Sequence, residues 1–286
     1  MSDPKQEFWL IIPPCADRDD WVATIKPLAE SAGFAVVCST AEASKAASGK
    51  VLILTCDADE PRKAGASSHN VAVTLSDAGP LLPEIDAASE PALRHAAVRN
   101  ASQLNLRGRA AYPERIFTAD ALRRAPEIFP GLKLPGPAPV AASDRNRALS
   151  EAFSVYAADQ SFWGSEIFDI NAKDVRHHDQ QAVFDLTGRP RILIFGPYIV
   201  MPEGRWKAVV RLGFSAPTAK HRYRADWGEQ EVYTSYEFHP GRDGLFQLEM
   251  EYEWDKPSAS EFRLLLLEGA FDGEVTFFGA QITRIG

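Results

Sequence analysis

Residues 206–212 have the sequence WKAVVRL, and residues 246–252 have the sequence FQLEMEY. In both stretches apolar side chains largely alternate with charged or polar ones, which is the period of a β-strand with one face against a core and the other in water. Further candidate strands of this kind lie at 166–170, 181–186, 191–195, 221–225, 232–238, 262–267 and 275–285. Turn residues such as Gly, Pro and Asp separate them, so the C-terminal half is predicted to be an antiparallel β-sandwich.

The N-terminal half has a different pattern of apolar residues. Continuous apolar runs at 8–12, 34–38, 51–55 and 71–75 alternate with helical patterns at 17–31 and 90–106. Strands buried on both faces and separated by helices are typical of a small parallel sheet, so we predict an α/β domain with a Rossmann-like sheet. Only 7 of the 29 aromatic residues lie before residue 151, which indicates two cores of different composition.

A proline-rich segment separates these halves. It contains Pro126, Pro130, Pro135, Pro137 and Pro139. Such a density of proline disfavours helices and central strands, so we predict an α/β domain at 1–125, a linker at 126–145 and a β-sandwich domain at 146–286. Asp144 is the predicted N-cap of a short helix that opens the second domain.

Charge and hydropathy exclude two classes of partner. The net charge of −8 speaks against non-specific binding to nucleic acid. No apolar stretch approaches the ~20 residues that span a bilayer, and the first residues do not have the pattern of a secretory signal. The expected location is therefore the cytoplasm. The three cysteines share no metal-ligand spacing and cannot all pair, so we do not expect a disulfide framework.

A segment of the second half carries a family resemblance. It consists of Gly196, Pro197, Tyr198, Pro202, Gly204 and Trp206, with the spacing GPY-x-x-x-P-x-G-x-W. This segment, together with the closing residues 272–282, resembles the jelly-roll domains of galactose-binding or carbohydrate-binding-module type that are attached to bacterial polysaccharide-biosynthesis proteins. The resemblance implies a sandwich fold and a sugar-related context, and it carries no catalytic residues.

A carbohydrate site needs aromatic faces for the sugar ring and polar side chains for its hydroxyl groups. The densest supply of both is Arg222, Arg224, Trp227, Tyr233, Tyr236, Glu237 and His239. Trp227 lies between Asp226 and Gly228 at a predicted strand end and is the expected exposed platform.

Two metal hypotheses arise from this half. The resemblance implies a structural calcium ion, for which Glu166, Asp169 and Asp272 are the candidate ligands. His177 and His178 are adjacent and would point to opposite sides of a strand, so the segment 177–179 is predicted to be a polar loop rather than a metal site.

In the first half, the strand at 51–55 is followed by Asp57 and Asp59. An Asp-x-Asp pair after a buried strand resembles the motif with which nucleotide-sugar glycosyltransferases hold a divalent cation and a diphosphate. Two such carboxylates can chelate a hard cation, but turns after strands are also rich in Asp, and we favour the plain turn.

Three functional hypotheses remain open from the sequence. The leading one is a non-catalytic glycan-recognition or assembly protein of bacterial exopolysaccharide or capsule metabolism, whose partner is a glycan or a glycan-biosynthesis protein. The second is a glycosyltransferase-like or glycan-modifying enzyme that uses Asp57 and Asp59. The third is a protein–protein interaction module, which would present a broad apolar patch.

Overall fold

The computed structural model describes residues 4–45, 48–87, 90–138 and 141–286. The chain divides into two compact units, the first formed by Met1–Ala87 and Asn100–Ala142 and the second by Ala88–Arg99 and Ser143–Gly286. In the described ranges, no helix has both the length and the apolar character needed to cross a membrane.

The first unit is built on a five-stranded parallel sheet, called sheet I, in the order β2-β3-β1-β4-β5. Its strands are β1 (Gln6–Ile11), β2 (Phe34–Val37), β3 (Lys50–Thr55), β4 (Val71–Leu75) and β5 (Ile116–Thr118). Its helices are α1 (Arg18–Ser31), α2 (Thr40–Ala43), α3 (Asp59–Lys63), α4 (Pro83–Asp86), α5 (Pro91–Ala111) and α6 (Ala119–Leu122). The predicted alternation of buried strands and helices, and the parallel pairing, are confirmed.

Both faces of sheet I are covered, which explains why its strands are continuous apolar runs rather than alternating ones. One face buries Phe8, Leu10 and Leu52 against Trp21 and Ile25 of α1. The other face buries a second set, made up of Trp9, Ile11, Val51, Ile53, Val71 and Val73.

The segment assigned to the linker is more ordered than its prolines suggested. It forms a hairpin of β6 (Glu127–Phe129) and β7 (Leu132–Lys133). Phe129, Leu132 and Leu134 are buried in the core of the first unit. The hairpin turn uses Pro130 and Gly131, and the second unit resumes at Ser143. Pro139 lies outside the described residues.

Helix α7 (Asp144–Ala152) opens the main part of the second unit, as predicted. Its N-cap is Ser143 rather than Asp144, because the Ser143 hydroxyl accepts a hydrogen bond from the backbone N–H of Asn146 at 3.1 Å. The first part of α5 also belongs to this unit, although its sequence follows the strands of the first one.

The second unit contains two antiparallel sheets. Sheet II has the order β10-β11-β18-β13-β16, with β8 also paired to β18, and sheet III has the order β15-β14-β17-β12-β9. Their strands are β8 (Gln160–Trp163), β9 (Asp169–Ile170), β10 (Lys173–His178), β11 (Gln181–Asp185), β12 (Arg191–Met201), β13 (Gly204–Phe214), β14 (Tyr223–Glu229), β15 (Tyr233–Phe238), β16 (Gly244–Trp254), β17 (Ser258–Leu266) and β18 (Glu274–Arg284). This arrangement is consistent with the predicted β-sandwich.

Aromatic side chains join the two sheets. Phe262 of sheet III stacks on Phe277 of sheet II with ring centroids 6.3 Å apart, and Trp227 meets Trp254 edge-to-face at 5.1 Å. Aromatic pairs in these geometries add to the stabilisation that comes from their buried area. The aromatic bias of the C-terminal half is therefore the composition of this inter-sheet core.

Two local predictions are wrong. The candidate strand at 191–195 was predicted to end before Gly196, but β12 continues to Met201 with a cis Gly196–Pro197 bond and a register shift against β17. Proline is tolerated there because it lies at an irregularity of the ladder. The segment 177–179 is not a loop throughout, since β10 and β11 form a hairpin whose two turn residues, Asp179 and Gln180, both have positive φ.

Candidate functional site

Sheet III has one face towards the inter-sheet core and one face away from it, and strand alternation decides which side chains lie on each. Tyr223, Ala225 and Trp227 of β14 are buried towards sheet II. The intervening Arg224 and Asp226 therefore lie on the outer face. Cross-strand register places three β15 residues and two β17 residues beside them, namely Tyr233, Ser235, Glu237, Glu261 and Arg263.

A charged centre occupies the middle of this outer face. Asp226 is only 1% exposed. Arg263 donates two hydrogen bonds to its Oδ2 atom, at 2.7 Å from Nη2 and 3.2 Å from Nε. The Ser235 hydroxyl donates to Oδ1 at 2.7 Å, and Arg224 donates from Nη2 to Oδ2 at 3.3 Å. The carboxylate is thus fully partnered, as a buried charge must be.

Two tyrosines and a glutamate lie beside this charged centre. Glu261 accepts hydrogen bonds from the hydroxyl of Tyr198 at 2.7 Å and from the hydroxyl of Tyr233 at 2.5 Å. Burial, and secondarily the Glu261 carboxylate, raise the pKa of both tyrosines far above the ordinary value, so both hydroxyl groups stay protonated and donate. The Arg263 guanidinium lies 4.0 Å from the centroid of the half-buried Tyr233 ring.

Beyond Tyr198, helix α5 adds a histidine to the same face. The His95 ring lies 4.2 Å from the Tyr198 ring and 5.7 Å from the Phe195 ring, centroid to centroid. His95 Nε2 also hydrogen-bonds Asp169, which pairs with Arg94 at 3.0 Å. Burial alone would raise the pKa of Asp169, but His95, Arg145 and Arg94 together hold it below the ordinary value.

We call the group on this face the outer-face cluster. It consists of Tyr198, Arg224, Asp226, Tyr233, Glu261 and Arg263. Within it, a half-buried aromatic ring stands beside hydrogen-bonding carboxylate and guanidinium groups that are held rigid by one another. Such a surface can lay an apolar ring face on Tyr233 while polar atoms around it take hydroxyl groups.

Of the seven residues predicted to bind glycan, three lie together on the outer face of sheet III and four do not. Arg224, Tyr233 and Glu237 share the outer face. Trp227 is not an exposed platform, because it is 0% exposed and packs between the sheets. Tyr236, which is 47% exposed, projects from the opposite face of edge strand β15 and cannot serve the same surface as Tyr233.

The other two predicted glycan ligands lie at one end of sheet III. Arg222 pairs with Glu268 at 3.8 Å, and His239 contacts the Lys220 backbone carbonyl at 3.1 Å. Both side chains are exposed, and these partners do not belong to the outer-face cluster.

The proposed calcium ligands occupy three different surroundings. Asp169 is engaged by Arg94 and His95, while Asp272 is exposed on the turn before β18. Glu166 lines a surface pocket of about 420 Å³ with His177 and Glu151. Among the residues that the structure describes, no three His, Cys, Asp or Glu side chains are grouped to hold a metal ion. The calcium ion therefore stays a prediction from the resemblance.

The Asp-x-Asp segment of the first unit is a helix start. Asp57 Oδ1 accepts the backbone N–H of Asp59 at 2.9 Å, which is the local bond of an Asx turn. Asp59 pairs with Arg62 at 3.5 Å and with Arg107 at 3.3 Å. These arginines line a surface pocket with Asp59, and Asp57 is not among its lining residues. The geometry favours the turn over a chelating pair.

Four members of the outer-face cluster were absent from the predicted glycan set. Asp226 and Tyr198 were noted in the sequence for other reasons, whereas Glu261 and Arg263 were not singled out. The available signal was the alternation in β17, in which Ser260, Phe262 and Leu264 face the core. The charged residues between them therefore had to lie on the outer face of the sheet.

Comparison with known proteins gives structural matches alone. No protein-family model matches the sequence, and no curated protein matches it. Among solved structures, TmCBM61 in complex with beta-1,4-galactotriose is 11% identical, with a TM-score of 0.31, over 41% of this chain and 87% of that chain. The C-terminal CBM6 of LamC, a marine laminarinase from Zobellia galactanivorans, is 14% identical with a TM-score of 0.31, over 44% and 99%.

A third match is the CBM36-1 domain of a multidomain xylanase from the hindgut metagenome of Trinervitermes trinervoides. It is 8% identical with a TM-score of 0.30, over 44% of this chain and 98% of that chain. These neighbours are carbohydrate-binding modules. At such low identities and TM-scores, the strand pairing and side-chain geometry are what define the fold and the candidate site.

Proposed function

We propose that this chain is a glycan-recognition protein and that a neutral sugar chain binds on the outer face of sheet III. The observation that carries the proposal is the position of Tyr233. Its ring is half-buried, one side is occupied by the Arg263 guanidinium at 4.0 Å, and its hydroxyl is fixed by Glu261. An aromatic ring immobilised in this way offers a preorganised face for pyranose C–H groups.

The charges on this face favour a neutral glycan over a polyanionic one. Glu237, Glu261 and Asp226 contribute three carboxylates, and Arg224 and Arg263 contribute two guanidinium groups. Because these charges nearly cancel and largely pair with one another, a chain rich in uronate or sulfate would gain little from them.

The resemblance of residues 196–206 to domains attached to polysaccharide-biosynthesis proteins supports a finer proposal. The chain takes part in bacterial exopolysaccharide or capsule metabolism as a non-catalytic recognition or assembly component. Tyr198 belongs both to that motif and to the outer-face cluster, so the motif residues and the candidate binding face meet in one side chain.

The test is a glycan array probed with the full chain and two matched variants. Tyr233→Ala removes the ring of the outer-face cluster, and Tyr236→Ala removes an exposed ring from the opposite face of the same strand. We expect wild type to bind selected neutral glycans, Tyr233→Ala to weaken that binding by about tenfold, and Tyr236→Ala to leave it unchanged.

Two outcomes would contradict the proposal. One is the absence of binding to every glycan by a protein whose circular dichroism and thermal unfolding show it to be folded. The other is an equal loss of binding in both tyrosine variants, which would move the site away from the outer face of sheet III.

A further inference from the structure

The first unit contains a pocket that the glycan proposal does not use. It has a volume of about 290 Å³, and its lining includes Asp17, Trp21, Ser76, Ala78, Arg123 and Pro137. All of these residues belong to the first unit. The volume lies at the small end of the range for ligand pockets, which suits a molecule of few heavy atoms.

Its position in the sheet is that of a ligand site. The chain leaves β1 towards β2 on one side of sheet I, whereas it leaves β4 towards β5 on the other side. The carboxyl ends of β1 and β4 therefore form a topological switch point, where open parallel sheets leave a crevice. Ser76 directly follows β4, and Asp17 precedes α1 in the connection that follows β1.

Asp17 is the polar centre of this pocket. It is 5% exposed, and the Ser76 hydroxyl lies 2.7 and 2.8 Å from its two carboxylate oxygens. The Ser76 hydroxyl and the Cys15 thiol have one proton each to donate, so the carboxylate keeps acceptor capacity for further donors. In the ranges that the structure describes, no lysine, arginine or histidine forms an ion pair with Asp17.

The surroundings of Asp17 offer little cationic compensation. The Cys15 thiol beside it is buried, and burial followed by the Asp17 charge raises the pKa of this thiol far above its usual range. The thiol thus stays neutral. A buried carboxylate without a cation gains most from a ligand that brings one, because its desolvation is otherwise balanced by neutral donors alone.

Two donors in the pocket need acceptors rather than cations. Trp21 is 1% exposed, and its indole N–H has no acceptor among the described residues. Arg123 stands at the rim with its side chain 68% exposed and pairs with Asp120 at 2.6 Å and Asp77 at 3.7 Å. Exposed pairs of this kind are worth little, so the guanidinium can turn to an incoming anion.

We propose that this pocket binds a small zwitterion of the amino-acid class. Its ammonium group pairs with Asp17, and its carboxylate accepts hydrogen bonds from Arg123 and the Trp21 indole. Phosphate is a poor alternative, because Pro13 and Pro14 remove two backbone N–H donors after β1 and Asp17 repels an anion.

The test titrates the full, ¹⁵N-labelled chain with 2-, 3- and 4-aminobutyrate, which have the same atoms but different separations of the two charges. Binding is followed at the Trp21 indole cross-peak, which the Trp21→Phe variant identifies. We expect one isomer to shift this peak with a Kd of about 1 mM, the value typical of a ligand with so few heavy atoms. Butylammonium and butyrate, each lacking one charge, are expected to bind at least tenfold more weakly.

Matched variants separate the pocket charges from general electrostatics. Asp17→Asn is expected to weaken the best isomer at least tenfold, whereas Asp19→Asn, an exposed residue in the same helix turn, changes binding less than twofold. Arg123→Gln is expected to weaken the zwitterion but not butylammonium, with the exposed Arg124→Gln as control.

The wild-type titrations decide the matter even if Asp17→Asn does not fold. An unshifted Trp21 indole with all three isomers would overturn the proposal. Equal affinity for butyrate, butylammonium and the zwitterion would also overturn it, since the two charges would then have no role. Glycan binding is measured on a different unit, so failure of either proposal leaves the other standing.

Discussion

Replacing Arg263 with methionine tests whether the outer-face cluster is held together as the distances indicate. The substitution keeps most of the aliphatic stem and removes both hydrogen bonds to Asp226, at 2.7 and 3.2 Å. It also removes the guanidinium that lies 4.0 Å from the Tyr233 ring. Asp226 is 1% exposed and cannot recover its lost partner from water.

The expected cost follows from these contacts. Removing one partner of a fully buried ion pair costs about 3–5 kcal/mol, because the remaining charge is left uncompensated. Asp226 keeps Ser235 at 2.7 Å and Arg224, whose Nε lies 3.1 Å from Oδ1, so we take about half of that value. Loss of the cation–π contact adds about 0.5–1 kcal/mol. The variant is therefore expected to lose about 2–3.5 kcal/mol of unfolding free energy.

Hydrogen exchange measured by mass spectrometry on the full chain provides the assay, with peptides covering β14 and β17. The control is Arg211→Met, which removes an exposed arginine from β13 of sheet II and should change stability by no more than about 0.5 kcal/mol. In the double variant Arg263→Met/Asp226→Asn the unpaired charge is gone, so the two losses should not add. A cost below about 1 kcal/mol for Arg263→Met, or strictly additive losses, would refute the reasoning.

Two further predictions concern titratable groups. Burial would raise the pKa of Asp169, but His95, Arg145 and Arg94 hold it below its ordinary value. The carboxylate therefore contributes its full stabilisation above the unfolded pKa of about 4, and this contribution is lost as the pH falls through the folded pKa. The protection factors of the β9 and β12 amides, which correct for the slower intrinsic exchange at lower pH, should thus fall less between pH 6 and pH 3 in Asp169→Asn than in wild type. Equal falls in the two proteins would contradict the assignment. The second prediction follows from the burial and raised pKa of Cys15. At pH 8, iodoacetamide should label the exposed Cys38 at least a hundredfold faster than Cys15, as measured by peptide mass spectrometry. Comparable labelling rates in the folded protein would show that Cys15 is accessible.

Most strands of the second unit could be predicted from the sequence, because the alternation of apolar and polar side chains is a local property. Residues 206–212 and 246–252 became neighbours in register, with Trp206 opposite Tyr252 and Leu212 opposite Phe246. Strand β10 was missed because nearly all of it is exposed at the edge of sheet II, so no apolar period distinguishes it from a loop. The buried hairpin at 127–133 was missed because proline and glycine suggested a linker, whereas here they form its turn.

The site was predicted only in part because its residues come from distant strands. Arg224, Tyr233 and Glu237 were found because they lie within one hairpin. Glu261 reaches them through the β14–β17 ladder, a pairing that no local pattern reveals. Trp227 was assigned to the surface although it has the same parity as Tyr223 and Ala225, both of which are 0% exposed. Parity along the strand would have placed either the charged residues or the tryptophan outside, but not both.

The placement of charge in sheet III favours a binding role over a purely structural one. A buried ion pair is weak evidence for stability, since apolar side chains of similar volume at the same positions are often neutral or stabilising. The inter-sheet core of this unit follows that rule and is aromatic and aliphatic throughout its largest side chains. Asp226 and Glu261 are nearly as buried, at 1% and 8% exposed, yet they lie on the opposite face of the same sheet. Their partners orient the Tyr233 ring and leave Arg263 22% exposed, which is the arrangement that a preorganised polar surface requires and that a second apolar layer would not provide.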